Sequence, residues 1–234
     1  MNHSAAQGSP QLYARAAGAL YLIVIVLGAF AYGYVPGTLL AASASASAHN
    51  ILAHETLWRM GILAALVVVA CALAQLLFEY LLLRRVQRQV MLLAVLFNLQ
   101  SLVIEALASV GHLSALHVLK GHFLAGYSLA QLQSAALLAI DLHDVTLNIS
   151  FLFFGFTCLL YGYLILRSRF LPKFLGVLMA LAGVCYISNA SLDFLNVLPP
   201  GFPWLLLPAG IAELSFCLWL LVVGVNVTRW REWT

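Results

Sequence analysis

Six uninterrupted apolar stretches, each about 20 residues or longer, constrain this chain more than any other feature. A helix rising about 1.5 Å per residue needs about 20 residues to cross a hydrocarbon core of about 30 Å. In that core every backbone N–H and C=O must be satisfied internally, which leaves helices and closed barrels. Barrel strands read as weak alternating runs of about ten residues, whereas the blocks here are continuous. The sequence therefore predicts an all-α polytopic membrane protein, a six-transmembrane-helix bundle forming a single domain. The spans fall at about 16–35, 58–83, 90–112, 136–166, 174–197 and 204–228. Composition agrees, with 64% apolar residues and 8% charged, against roughly half apolar in a soluble domain.

Basic residues then orient the spans. Arg15, Arg84, Arg85, Arg88, Arg167, Arg169, Lys173, Arg229 and Arg231 fall on one side of a six-span arrangement, and only Arg59 and Lys120 on the other. The positive-inside rule puts both termini in the cytoplasm. None of these residues forms a cluster dense enough for nucleic acid, so the net +3 charge reads as topological, and the lipid bilayer is the partner the apolar helices imply. The short connections RRVQRQ and RSRFLPK make the helix pairs they join antiparallel neighbours. The first apolar run, about twenty residues, exceeds a signal-peptide core of about 7–15 and is expected to be retained. The AASASASA tract after it reads as a short outer loop. Cys71, Cys158, Cys185 and Cys217 all lie in apolar segments without metal spacing and read as packing residues.

The polar residues inside the apolar blocks carry the functional question, and depth sorts them. In LLAIDLHDVTLNISFLFFGF, Asn148 is about 28 Å above Arg167, while Asp144, His143 and Asp141 are about 35–39 Å above it. These ionisable groups therefore sit at the outer interface. The helix bearing them is expected to start near Ser128, because SLAQ has the capping-box pattern. Ser134, Asp141, Asp144 and Asn148 share one stripe, and His143 points elsewhere. Glu105, Glu213 and Asn189 each lie about 24 Å above their cytoplasmic anchors, and Asp193 about 30 Å. His112 and Arg59 are near the outer boundary. Glu79 is the exception, close enough to Arg84 and Arg85 to snorkel or pair with them.

The plainest reading makes these groups helix–helix hydrogen bonds and interfacial charges. The sharper reading gathers Arg59, Glu105, His112, Asp144, Asn148, Asn189, Asp193 and Glu213 into an outward-opening polar pocket for a small ligand, an ion or a lipid head group. His54 and Arg59 would sit at its rim. Within it, His112, Asp144 and Asp193 are the candidate ligands for a metal ion, which would make the protein a membrane-embedded metal-dependent hydrolase. Carboxylates carrying protons would instead make it a proton-coupled transporter, and a third alternative is a scaffold or accessory subunit. The sequence sets neither a catalytic residue nor an oligomeric state. HETLW at 54–58 opens like a zinc-protease motif, but Trp58 stands where the second histidine must be. His112, His117 and His122 recur every five residues and share no helical face, the latter two being expected in a loop. Gly176, Ala180 and Gly183 form a small-residue face suited to close helix packing. Pro208 is expected to kink the last span.

The stretches ARAAGALYLIVIVLGAF, HNILAHETLWRMGI, LHDVTLNISFLFFGF, YGYLILRSRFLPKFLGVLMALAGVCYI and AELSFCLWLLVVGV resemble a bacterial family known only as domain of unknown function 4386. The resemblance covers about residues 14–225, and its most specific part is GYLILRS-x-x-LP-x-x-LG. It implies a multi-helix protein of the bacterial cytoplasmic membrane and supplies no activity or substrate. Asn50, Arg59, Asp144, Asp193 and Glu213 lie in the matching stretches. Hydrolases of the alkaline ceramidase and adiponectin-receptor type also gather His, Asp and Ser near one leaflet. Their last span carries histidines, however, and this one has none.

Overall fold

The structure, a computed structural model, describes residues 9–121, 126–197 and 203–233. Helices dominate it, and no strand occurs among the described residues. The chain runs through α1 (Pro10–Leu39), α2 (Ala44–Ala53), α3 (Glu55–Leu83), α4 (Arg88–Leu119), α5 (Leu129–Arg167), α6 (Lys173–Phe194), α7 (Leu207–Val223) and α8 (Val227–Arg231). Helices α1, α3, α4, α5 and α6 are long and apolar enough to cross a membrane. The stretch expected to form a sixth span holds α7, an apolar helix shorter than those five.

Local chemistry explains the helix ends. Ser128 N–H donates to Gln131 Oε1 (2.8 Å) and Gln131 N–H to Ser128 Oγ (3.4 Å), the reciprocal pair the sequence predicts at the start of α5. In α1 the backbone widens to a π-helical turn over Ala29–Tyr34, just before Pro36. Proline has no N–H to continue the normal ladder, and the wider turn absorbs the break.

Three expectations need correction. The AASASASA tract is not a loop: Ser43 caps α2 by accepting the Ala46 N–H at 3.2 Å, and alanine-rich sequence then propagates the helix. His117 is helical, because α4 continues to Leu119, while His122 lies outside the described residues. Pro208 stands in the first turn of α7 rather than within a longer helix, where its missing N–H costs nothing.

By contacts the chain falls into two compact units. The first holds residues up to Ile23, Cys71–Ser101 and Phe151–Thr234; the second holds Val24–Ala70 and Leu102–Ser150. In the first unit α5 and α6 meet at glycines. A Cβ on Gly162 would lie 2.8 Å from the Gly176 carbonyl, and one on Gly183 would lie 2.6 Å from the Gly155 carbonyl. The small-residue face expected at Gly176 and Gly183 is thus a backbone-to-backbone contact. The C-terminal end is tied down by Trp230, whose Nε1 donates to the Leu82 carbonyl at 3.0 Å while Arg85 lies over its ring. Gln11 spans Val223 and Val225 by donating to one carbonyl and accepting from the other N–H, around Gly224 with its positive φ of 76°.

The second unit has its own core, built from Val35 and Leu39 of α1, Ile51 of α2, Trp58 of α3, Ala115 and Leu116 of α4, and Ala136 and Ile140 of α5. At its surface Glu55 accepts from both Arg59 (2.7 Å) and Lys120 (2.6 Å). This core fixes the end of α4 against the start of α5, where the candidate site lies.

Candidate metal centre

On α5 the buried positions Ala136, Ile140, His143 and Leu147 recur at spacings of four, three and four, the signature of one helix face turned to a core. His143 occupies the third of these positions and is 3% exposed. The stripe of Ser134, Asp141 and Asp144 faces outward instead. Opposite His143, α4 presents Gly111 and then His112. A Cβ on Gly111 would meet the Ala139 carbonyl oxygen at 2.5 Å and His143 Cβ at 2.9 Å. Glycine is what lets the two helices approach closely enough to stack the imidazoles, with centroids 3.5 Å apart and planes within 17°.

The hydrogen bonds define which nitrogens are available. His143 Nδ1 is 2.8 Å from the Ala108 carbonyl oxygen. A carbonyl only accepts, so Nδ1 carries the proton and Nε2 keeps a free lone pair. His112 is 7% exposed, and its Nε2 is buried with no hydrogen-bond partner among the described residues. Asp144, next to His143, is exposed. One ligand atom from each of His112, His143 and Asp144 lies within 4.8 Å of the others.

Two further contacts hold the frame. Trp58 Nε1 donates to the His112 carbonyl at 3.0 Å, and its ring centroid is 4.6 Å from that of His112. This explains why a tryptophan occupies the fifth position of HETLW: it fills the core and braces α4. Tyr32, whose ring lies 6.3 Å from that of His143, donates its hydroxyl to Glu105 Oε1 at 2.7 Å.

Two imidazole nitrogens and one carboxylate form a donor set suited to zinc and its neighbours, and three protein ligands leave a fourth position free for water or substrate. The Ala108 carbonyl on His143 Nδ1 is the usual outer partner of a metal-binding histidine. The lone pairs of stacked rings lie in nearly parallel planes. Gripping one ion therefore requires one imidazole to turn about its χ2 bond.

The residues singled out from sequence divide between the units. His112 and Asp144 come together in the second unit, joined by His143, which the pocket predicted from sequence did not include. The missed signal is the periodicity of Ala136, Ile140 and Leu147, which puts a histidine on a core stripe. Glu105 and Asn148 share this unit, Glu105 bonded to Tyr32. Arg59 is engaged by Glu55. Asn189 and Asp193 on α6 and Glu213 on α7 belong to the first unit, where Tyr186 donates its hydroxyl to Glu213. The group of clustered metal-ligating side chains found among the described residues thus contains His143 where the sequence suggests Asp193.

The family described as Domain of unknown function (DUF4386) matches over residues 16–224. An uncharacterized protein of Archaeoglobus fulgidus is 29% identical over 94 residues, which cover 38% of this chain and 55% of that relative. The chain thus spans about half the length of the curated relative it matches. No solved structure matches the chain.

Proposed function

The chain belongs to the DUF4386 family, and from that premise we propose that it is a multipass protein of the bacterial cytoplasmic membrane whose outer polar pocket binds a transition-metal ion through His112, His143 and Asp144. Two observations carry the proposal: a ligand atom of His112 lies within 4.8 Å of one from His143 and one from Asp144, and among the described residues His112 Nε2 is buried without a hydrogen-bond partner. A buried polar atom left unsatisfied costs about 1–3 kcal/mol. An ion would turn that cost into a bond and would also use the lone pair left on His143.

Charge distribution supports the orientation, with both termini cytoplasmic. Of the 11 lysines and arginines, Arg59 and Lys120 fall in the second unit and the other nine in the first. By the positive-inside rule, the segments rich in lysine and arginine are the cytoplasmic ones.

Metal content of detergent-purified protein, prepared without chelator or histidine tag, tests the reading. About one zinc or similar ion per chain is expected, lost in His112→Ala and in Asp144→Ala. Asp144 is exposed, so that variant should keep its fold. Metal-free wild-type protein, or metal retained by both variants, overturns the reading. The three-ligand set favours one second reading, a hydrolase in which the ion activates water at its free position. It predicts metal-dependent cleavage of an ester or amide substrate that Asp144→Ala abolishes.

A further inference from the structure

The first unit contains a second polar site, far simpler in composition. Glu79 on α3 is 2% exposed, and both of its carboxylate oxygens accept hydrogen bonds from neutral donors. Gln75 Nε2 donates to Oε1 at 2.9 Å and the Tyr161 hydroxyl to Oε2 at 2.8 Å. The arginines that follow α3 are turned to aromatic rings, Arg84 over Tyr80 and Arg85 over Trp230. The pairing with Glu79 expected from sequence distance is replaced by these ring contacts. Beside the carboxylate is a cavity of about 20 Å³, lined by Tyr21, Gln75, Glu79, Asn98, Cys158 and Tyr161 among others. That is room for one water molecule, with enough polar neighbours to hold it.

We propose that Glu79 is a proton-binding site: its carboxyl carries an exchangeable proton, donated to a single water held in this cavity. A carboxylate buried in an apolar interior among neutral donors keeps its charge only at high cost, and binding a proton removes that cost. The groups facing it from the surrounding helices reinforce this. Asn98 of α4 is a neutral amide, and Tyr21 of α1 and Cys158 and Tyr161 of α5 are neutral in their protonated forms, so none of them brings a positive charge to hold the carboxylate ionised. Glu213 of α7, an acidic group of the same unit, accepts the Tyr186 hydroxyl. The amides and hydroxyls that line the cavity can orient the water in either direction, so the proton has a carrier as well as a resting place. Glu79 lies five residues before Arg84, or about 7.5 Å along the helix. Exchange therefore needs to cross little more than one helical turn to reach the arginine-bearing end.

Infrared difference spectroscopy of the protein in lipid nanodiscs tests this directly. A carboxylic-acid C=O band is expected near neutral pH, moving on transfer to D2O and missing from Glu79→Gln. The same band should persist in Glu105→Gln and Glu213→Gln. Glutamine mimics the protonated acid in size and charge, so Glu79→Gln should melt where the wild type does. Tyr161→Phe gives a second reading, since loss of its hydrogen bond must shift the frequency of that same band. A band unchanged in Glu79→Gln overturns the proposal, as does one unmoved by Tyr161→Phe. So does a Glu79 acid band seen only when choline replaces sodium, because the carboxylate would then be an ionised sodium ligand.

Discussion

Replacing Gly111 by alanine probes how the histidine pair is assembled. The new methyl group would sit 2.5 Å from the Ala139 carbonyl oxygen and 2.9 Å from His143 Cβ. The first partner is backbone and the second is fixed to it, so neither can swing aside. An ordinary carbon–oxygen contact is about 3.3 Å, so α4 and α5 must separate locally by roughly 0.8 Å. Overpacking of this kind costs about 1–3 kcal/mol, or roughly 2–4 °C of melting temperature per kcal/mol in a chain of this size. A ligand displaced that far exceeds the tolerance of about 0.2 Å for a metal bond, so metal affinity should fall at least about tenfold. The assay is thermal unfolding in detergent with and without added zinc. Gly37→Ala is the control: it is exposed, helical, and has open space where the methyl would go. It should melt at or slightly above the wild type, since alanine gains at most about 1 kcal/mol in a helix. A Gly111→Ala protein that melts with the wild type and keeps its zinc response would refute the close-approach argument.

Three other substitutions separate the parts of the account. Trp58→Phe keeps a ring against His112 but loses the Nε1 bond to its carbonyl; it should lower stability by about 1 kcal/mol, read as a lower melting temperature, and weaken metal binding without abolishing it. Glu55→Gln removes both exposed ion pairs with Arg59 and Lys120; solvent screening leaves such pairs little weight, so the melting temperature should stay close to that of the wild type, and a clear drop would contradict the view of this triad as a surface feature. Gly162→Ala places a methyl 2.8 Å from the Gly176 carbonyl and the Ala180 nitrogen; it should destabilise the α5–α6 pair by about 1–3 kcal/mol while leaving metal content per folded chain unchanged.

Some features of this molecule were written locally and others were not. The five long apolar helices follow from runs of apolar residues, and the start of α5 follows from a four-residue capping pattern, because both depend on neighbours in sequence. Gly176 and Gly183 announced a close helix contact, although their partners Gly155 and Gly162 could be paired with them only in three dimensions. The AASASASA tract misled because low complexity suggests a loop, whereas alanine with a serine cap favours a helix. Asp144 and Asp141 drew attention as charges in an apolar segment, yet they face outward. The buried ionisable residue of that segment, His143, stands off the polar stripe, which is why the sequence reading leaves it out of the pocket. Position on the opposite, apolar stripe was the stronger clue, since a histidine there must find a partner inside the protein. Glu79 shows the same limit. Sequence distance favoured its arginine neighbours, but aromatic rings claim those arginines, and Gln75 and Tyr161 claim the carboxylate.

X-ray absorption spectroscopy at the zinc edge, on protein loaded with one equivalent of zinc, addresses the central claim most directly. The account predicts two imidazole nitrogens at about 2.0–2.1 Å, with the remaining first-shell positions filled by oxygen. His143→Ala should remove one imidazole contribution. A shell of oxygen alone, or sulfur scattering from the cysteines, would contradict it.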